Sequence, residues 1–168
     1  MKALIDITKA CALIVCNPEK ITITKDQLRA NIGRTITIAY VEGVTEYVVA
    51  LNSKVQLMAA EKIIETLFDD PEVKLYVIET CKGLSFPATK PDKKRYNRVL
   101  KHADGVLAAP INETKRVNDL CNEWLVNTVS DVIPIYTGDK FNYLRLLEEV
   151  RMKGKGYITT HINDLDSN

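Results

Sequence analysis

Histidine occurs only at positions 102 and 161, tryptophan only once, and the four cysteines at 11, 16, 81 and 121 form no CxxC pair. That scarcity argues against a metal centre and leaves a Cys–His nucleophile little to draw on. No apolar run approaches the ~20 residues of a membrane span. Asp6 and Lys9 interrupt the form a signal peptide would take. Neither sign of charge dominates, since 23 Lys+Arg face 22 Asp+Glu, so no general attraction to nucleic acid or anionic lipid exists. A cytoplasmic chain without metal, cofactor or membrane partner is expected. The cysteines read as small buried apolar residues, and Cys11 and Cys16, an odd number apart on one strand, are expected on opposite faces of a sheet.

What is present is alternation. The 168 residues suit one domain, expected over residues 1–163 with a tail at 164–168. Within Lys101–Gly138, two apolar runs, Asp104–Ala109 and Asp131–Tyr136, flank a segment in which Val117, Leu120, Cys121, Trp124, Leu125 and Thr128 fall on one helical face. This reads as strand, helix, strand, with the two strands parallel neighbours buried on both faces. Ligands of such sheets sit at the carboxyl ends of the strands, which directs attention to the turns after Ala109 and Tyr136.

In chain order, Cys11–Cys16 is an apolar run ended by Asn17-Pro18. Thr24 with Gln27 forms a capping box ahead of a stripe at Leu28, Ile32, Ile36 and Ala39/Tyr40 that stops at Gly43, and this periodicity places the β-branched Thr35–Ile38 in a helix. Glu46–Leu51 is a second strand. Ser53 with Gln56 reads as another capping box, opening a helix that buries Leu57, Ala60, Ile64 and Leu67. Val73–Ile78 is a third strand, and the long loop Glu79–Pro91 has the length of a functional one. A helix over Asp92–His102 buries Tyr96, Val99 and Leu100; another over Lys140–Met152 carries Tyr143, Leu144, Leu147 and Val150 and leads to an edge strand at Gly156–Ile162. The order βαβαβαβαβαβ predicts an α/β, three-layer Rossmann-like sandwich with a mostly parallel sheet, its central strands being Cys11–Cys16 and Gly105–Ala109.

The segments ALIVCNPEKITITKDQL, TEYVVALNSKVQLMAAEKIIETL, DPEVKLYVIE, KRYNRVLKHADGVLAA, NEWLVNTVSDVIPIYTG and VRMKGKGY, in that order over roughly residues 10–160, resemble the YspA-like branch of the SLOG superfamily. These are Rossmann-like domains related to cytokinin-activating phosphoribohydrolases and to DNA-processing protein A, linked to nucleotides and nucleotide-derived signals. The resemblance implies a nucleotide-derived ligand and a homodimer, and it makes a phage, mobile-element or defence setting credible. The family's ligand motifs are altered. A Thr-Gly-His-Arg turn is replaced by Ile14-Val15-Cys16-Asn17 before Pro18-Glu19-Lys20; Ser-Gly-x-Ala-x-Gly-Val-Asp becomes Val49-Ala50-Leu51-Asn52-Ser53-Lys54-Val55-Gln56. Arg-Asn-Arg-Trp-Met-Val-Asp becomes Cys121-Asn122-Glu123-Trp124-Leu125-Val126-Asn127, and the Gly-Gly-Thr after the fifth strand gives way near Lys140-Phe141-Asn142. Bare glycine loops at helix N-termini hold phosphate through backbone N–H groups, and here side chains cover that surface.

The candidate ligand-binding residues are therefore Asn17, Lys20, Asn52, Ser53, Lys54, Asn112, Thr137 and Lys140, all expected after strand ends. Each has an ordinary alternative: asparagine also ends strands in turns, Ser53 caps its own helix, and Lys54 suits a solvated first turn. Glu113 and Asp139 are the carboxylates that could serve as a general base in a relocated N-glycosidase, with capping or surface roles as the alternative. The basic run Lys90–His102 carries an apolar stripe and reads as a packed helix with solvated charges, which argues against a nucleic-acid partner. The favoured expectation is a non-catalytic module engaging a protein through the Glu79–Pro91 loop with exposed Leu84 and Phe86. The second is a binder of a nucleotide-derived small molecule.

Overall fold

The computed structural model describes residues 4–159. Eleven elements follow one another: β1 Cys11–Val15, α1 Lys25–Val41, β2 Glu46–Ala50, α2 Lys54–Leu67, β3 Lys74–Ile78, α3 Lys90–His102, β4 Gly105–Leu107, α4 Val117–Thr128, β5 Asp131–Ile135, α5 Lys140–Met152 and β6 Gly156–Tyr157. They build a six-stranded sheet, order β4-β3-β2-β1-β5-β6, parallel at every pairing. The fold is α/β, a three-layer Rossmann-like sandwich. The expected tail at 164–168, and the end of the expected strand Gly156–Ile162, lie outside the described residues.

Alternation along β1 sorts the two cores. Cys11, Leu13 and Val15 face α1, α2 and α3, with Leu28, Ile32, Ile36, Leu57 and Val99 among their neighbours. Ala12 and Ile14 face the opposite layer, packed with Cys121, Leu125 and Val126 of α4 and Leu146 and Val150 of α5. All five residues of β1 are buried, as a strand covered by helices on both sides requires. The odd spacing of the first two cysteines has the expected result: Cys11 belongs to the first core and Cys16 packs against the second.

Strand order departs from expectation. β4 and β5 are not neighbours; β4 lies at one edge beside β3, while β5 pairs with β1. A right-handed crossover helix makes two strands parallel, but it says nothing of how many strands it passes over. Nor is β4 central. It spans three residues, Val106 is 39% exposed, and its neighbours on the chain are pinned by Asp104, whose carboxylate accepts from Leu75 N–H at 2.8 Å. Small residues on a half-solvated edge were indistinguishable from a doubly covered strand by apolar content alone.

Helix boundaries follow their caps. Thr24 and Gln27 make the full reciprocal capping box, and α1 keeps Thr35 and Ile36 buried, so periodicity does override β propensity there. Thr89 caps α3 and Pro91 sits in its first turn, which starts the helix at Lys90 rather than Asp92. On α4 the deepest residues are Val117, Cys121, Asn122, Leu125 and Val126, while Leu120, Trp124 and Thr128 are half-buried; the helix is rotated from its apolar stripe. On α5, Leu146 takes the place expected for Leu144, which is 45% exposed. On α2, Ile63 is buried and Ile64 only partly.

Pro134 lies within β5 opposite Ile14. Val132 directs its carbonyl to Ile158 N–H at 3.0 Å, so Pro134, two residues on, faces the same side, past the end of β6. Its missing donor thus falls where no strand among the described residues needs one. The turn after β5 holds Gly138 at φ 100°, and a Cβ there would run into Thr22 Oγ1. Gly138→Ala is expected to destabilise the domain by about 2 kcal/mol, through both the backbone conformation and the overlap. Urea denaturation followed by circular dichroism measures it, and an unchanged midpoint would contradict the tight packing of this turn.

Candidate functional site

β1 leads through α1 to β2 on one side, while β5 and β6 extend the sheet on the other, so the sheet changes direction between β1 and β5. Open α/β sheets leave a crevice at that point, beyond the strands' carboxyl ends. Here its outer part is strapped shut. Thr22 N–H donates to the Thr137 carbonyl at 2.9 Å, and Lys20 Nζ lies 4.0 Å from the Asp139 carboxylate, so the loops after β1 and β5 hold each other. The open space lies instead between α4 and α5, a cleft of about 850 Å³ floored by Cys16, Asn17 and Pro18.

α4 supplies one wall with Arg116, Asn118, Asp119, Asn122 and Glu123; α5 supplies the other with Asn142, Arg145 and Glu149. Arg116, at φ 54°, enters α4 in the left-handed conformation and offers no side-chain cap to the first-turn N–H groups. Its guanidinium turns to Asp119 at 3.8 Å. Asn122 is buried at 9% exposure; Nδ2 donates to the Val15 carbonyl at 2.8 Å, and Oδ1 has no partner. Behind it, Gln56 Nε2 donates to Asn118 Oδ1 at 3.3 Å while Gln56 Oε1 is also unpartnered. Among the described residues, two buried acceptors behind the cleft wall, Asn122 Oδ1 and Gln56 Oε1, therefore lack a donor.

The residues singled out from the sequence divide. Asn17 lines the cleft, and Lys20 borders it through Asp139. Asn52 is buried, accepting from Cys81 N–H at 3.0 Å through Oδ1. Ser53 caps α2 by accepting from Gln56 N–H, and Lys54 pairs with the buried Asp92 carboxylate at 3.6 Å; neither lines the cleft. Asn112 and Glu113 are exposed after the edge strand β4, outside the cleft lining. Thr137 is buried, and Lys140 begins α5, exposed. Asp139 caps α5, bonding Asn142 N–H and, at 2.6 Å, its Nδ2; these bonds, chiefly the one from the Asn142 side chain, hold its carboxyl below the usual carboxylate range and make it a weak base. The loop side chains expected to be exposed are half-buried: Leu84 reaches the cleft lip, and Phe86 packs edge-to-face on Tyr96 at 6.3 Å. Sequence reasoning missed Arg116, Asn118, Asn122, Arg145 and Gln56. The available signal was the run of amides on α4, Asn118 and Asn122, one turn apart on a face otherwise apolar.

The thiols are in contrasting states. Cys16 on the cleft floor is pushed up to about 12, first by burial and then by the negative field of Asp139, and its Sγ donates to the Asn142 carbonyl at 3.3 Å. Cys81, in the loop after β3, is pulled below the ordinary thiol value because the Cys121 S–H donates to it, with the Asn52 amide adding to the effect. Cys121 is correspondingly raised, by that bond and by burial. Among the described residues no group of three His, Cys, Asp or Glu could hold a metal ion, and no helix is long and apolar enough to cross a membrane.

Compared with protein-family models and with curated proteins, the sequence matches none.

The thiol states order the chemistry of alkylation. Limiting iodoacetamide at neutral pH is expected to label Cys81 before Cys16, although Cys16 is the more exposed, with Cys81 labelling rising as pH rises toward the ordinary thiol value. Peptide mass mapping of the native protein reads the order, and faster labelling of Cys16 would contradict the assigned states.

Proposed function

We propose that this domain binds a small nucleotide-derived molecule in the α4–α5 cleft and does not turn it over. The observation that carries the reading is the cleft itself: about 850 Å³ at the carboxyl end of the central strand, with Asn122, buried and short of a donor, in its lining. That volume is of the size that binds cofactors and metabolites. The resemblance to YspA-like SLOG domains supplies the ligand class, and the altered glycine loops support binding without the family's hydrolysis. Of the two carboxylates named from the sequence as a general base, Asp139 is committed to capping α5 and to Asn142, and Glu113 stands outside the cleft lining.

A second reading is a module that docks on a protein. Phe141 is 71% exposed and Leu144 45%, three residues apart on α5 beside the cleft, and they replace Leu84 and Phe86 as the apolar contact residues. Native mass spectrometry of protein purified from its own host separates the two. The expected result is a bound species of a few hundred daltons, released on denaturation with the ultraviolet absorbance of a nucleobase, retained in Lys54→Ala and lost in Asn122→Leu. A stoichiometric protein partner with no small molecule would overturn the proposal.

A further inference from the structure

Cys81 and Cys121 lie outside the cleft lining, and the fold brings them together. Both are free thiols, and both belong to the core on the α4 and α5 side of the sheet, with Val117 and Leu125. The loop after β3 is laid against the start of α4. Leu84 N–H donates back to the Cys81 carbonyl at 3.3 Å, and a Cβ at Gly83 would stand 3.6 Å from Thr114 Cα and 3.7 Å from Val117 Cγ2. That turn delivers Cys81 to α4, where the Cys121 S–H donates to its sulfur. Neither of the other thiols shares in this contact: Cys11 lies in the opposite core, and Cys16 gives its S–H to the Asn142 carbonyl.

Asn52 stands beside the pair. It is buried at 6% exposure, its Oδ1 accepts from Cys81 N–H at 3.0 Å, and its Nδ2 has no hydrogen-bond partner among the described residues. A neutral thiol is a weak acceptor and leaves such a donor unmet; a thiolate meets it. An orphaned buried donor is a feature that a redox role accounts for. Two donors thus converge on Cys81, the Cys121 S–H and the Asn52 amide, and they hold its thiol below the ordinary value against the opposing effect of burial. Cys81 keeps 8% exposure where Cys121 has 0%, so a water-sized oxidant reaches Cys81 first. Cys121 is held protonated by its bond to Cys81, by burial and by the charge of the Cys81 thiolate. The first and the last of these vanish once Cys81 is oxidised, which frees Cys121 to act next.

We propose that Cys81 and Cys121 form a hydroperoxide-responsive pair, in which Cys81 is the nucleophile and Cys121 resolves its sulfenic acid to an intramolecular disulfide. The Cys81 thiolate, its proton lost to solvent, attacks one oxygen of hydrogen peroxide. The S–O bond forms, the O–O bond breaks, and the departing hydroxide takes up a proton to become water. The Cys121 sulfur then attacks the Cys81 sulfur; the S–S bond forms, the S–O bond breaks, and hydroxide leaves with the Cys121 proton as a second water. The two thiols lose two electrons, and the peroxide gains them. The bond ties the loop that carries Leu84, at the cleft lip, to the helix that forms the cleft wall. The intact reduced protein, treated with a small molar excess of hydrogen peroxide and mapped by non-reducing peptide mass spectrometry, is expected to yield the Cys81 and Cys121 peptides joined, two hydrogens lighter than their sum, and parted again by dithiothreitol. In Cys121→Ala, dimedone is expected to trap a sulfenic acid at Cys81. Asn52→Asp, which keeps the acceptor for Cys81 N–H and removes the donor, is expected to slow the loss of the Cys81 thiol about tenfold. Absence of a Cys81–Cys121 link in the wild-type protein, whatever other cysteine is oxidised, overturns the pairing. A dimedone adduct at Cys16 with none at Cys81 overturns the choice of nucleophile, and an unchanged rate in Asn52→Asp overturns the part given to the amide.

Discussion

The carbonyl of Val15 is the polar group on which the site's construction turns. β1 is buried along its whole length between two strands and two helical layers, so each of its backbone groups must find a partner inside the protein. β5 runs alongside to Val15, whereas β2 is in register with β1 only as far as Leu13. At the carboxyl end, the ladder on one side has ended, and the amide of Asn122 donates to Val15 instead. An unmet carbonyl in that position would cost about 1–3 kcal/mol. Meeting it with a side chain from α4 pins that helix over the end of the central strand.

Two consequences follow from the pin. Asn122 must face inward, which rotates α4 away from its apolar stripe and leaves Leu120, Trp124 and Thr128 only half-buried. And because Nδ2 is spent on the strand, Oδ1 is left buried behind the cleft wall without a donor among the described residues. The same economy operates one layer back, where Gln56 leaves the capping box expected with Ser53, keeps only its backbone N–H bonded to the serine, and sends its amide to Asn118.

Why some of this was legible in the sequence and some was not has a physical basis. Periods and caps are local, so the βα alternation, the capping box at Thr24 and the helical character of Thr35–Ile38 could be read directly. Strand order is not local. Nothing in the amphipathic pattern of residues 117–128 distinguishes a crossover to the next strand from one that passes over three strands, and the edge position of β4 escaped for that reason. At the site, the turn residue Asn17 was visible because strand-ending asparagines have a known place. Asn122 and Gln56 were not, since a polar residue on a helix normally marks the solvent side, and their burial is justified only by partners from distant parts of the chain. Lys54 misled by the converse route: its position at a helix N-terminus suited an anion, and the anion it meets is the chain's own Asp92.

That last pairing extends to the fold as a whole. Helix N-termini attract negative charge and hydrogen-bond acceptors, and an α/β sheet gathers several of them along one edge. In this chain they are answered from within: Thr24, Ser53 and Thr89 cap α1, α2 and α3 with hydroxyl oxygens, Asp139 caps α5 with a carboxylate, and α4, which has no cap, carries Asp119 in its first turn. Lys20 and Lys54, two of the cations that the sequence placed at the strand ends, are paired with the internal carboxylates Asp139 and Asp92, while Arg145 stands in the cleft lining. At four of the five helix N-termini an anion would have to displace these groups before gaining the backbone. The architecture keeps the crevice that its strand order creates while occupying, with its own side chains, all of those positions but the start of α4.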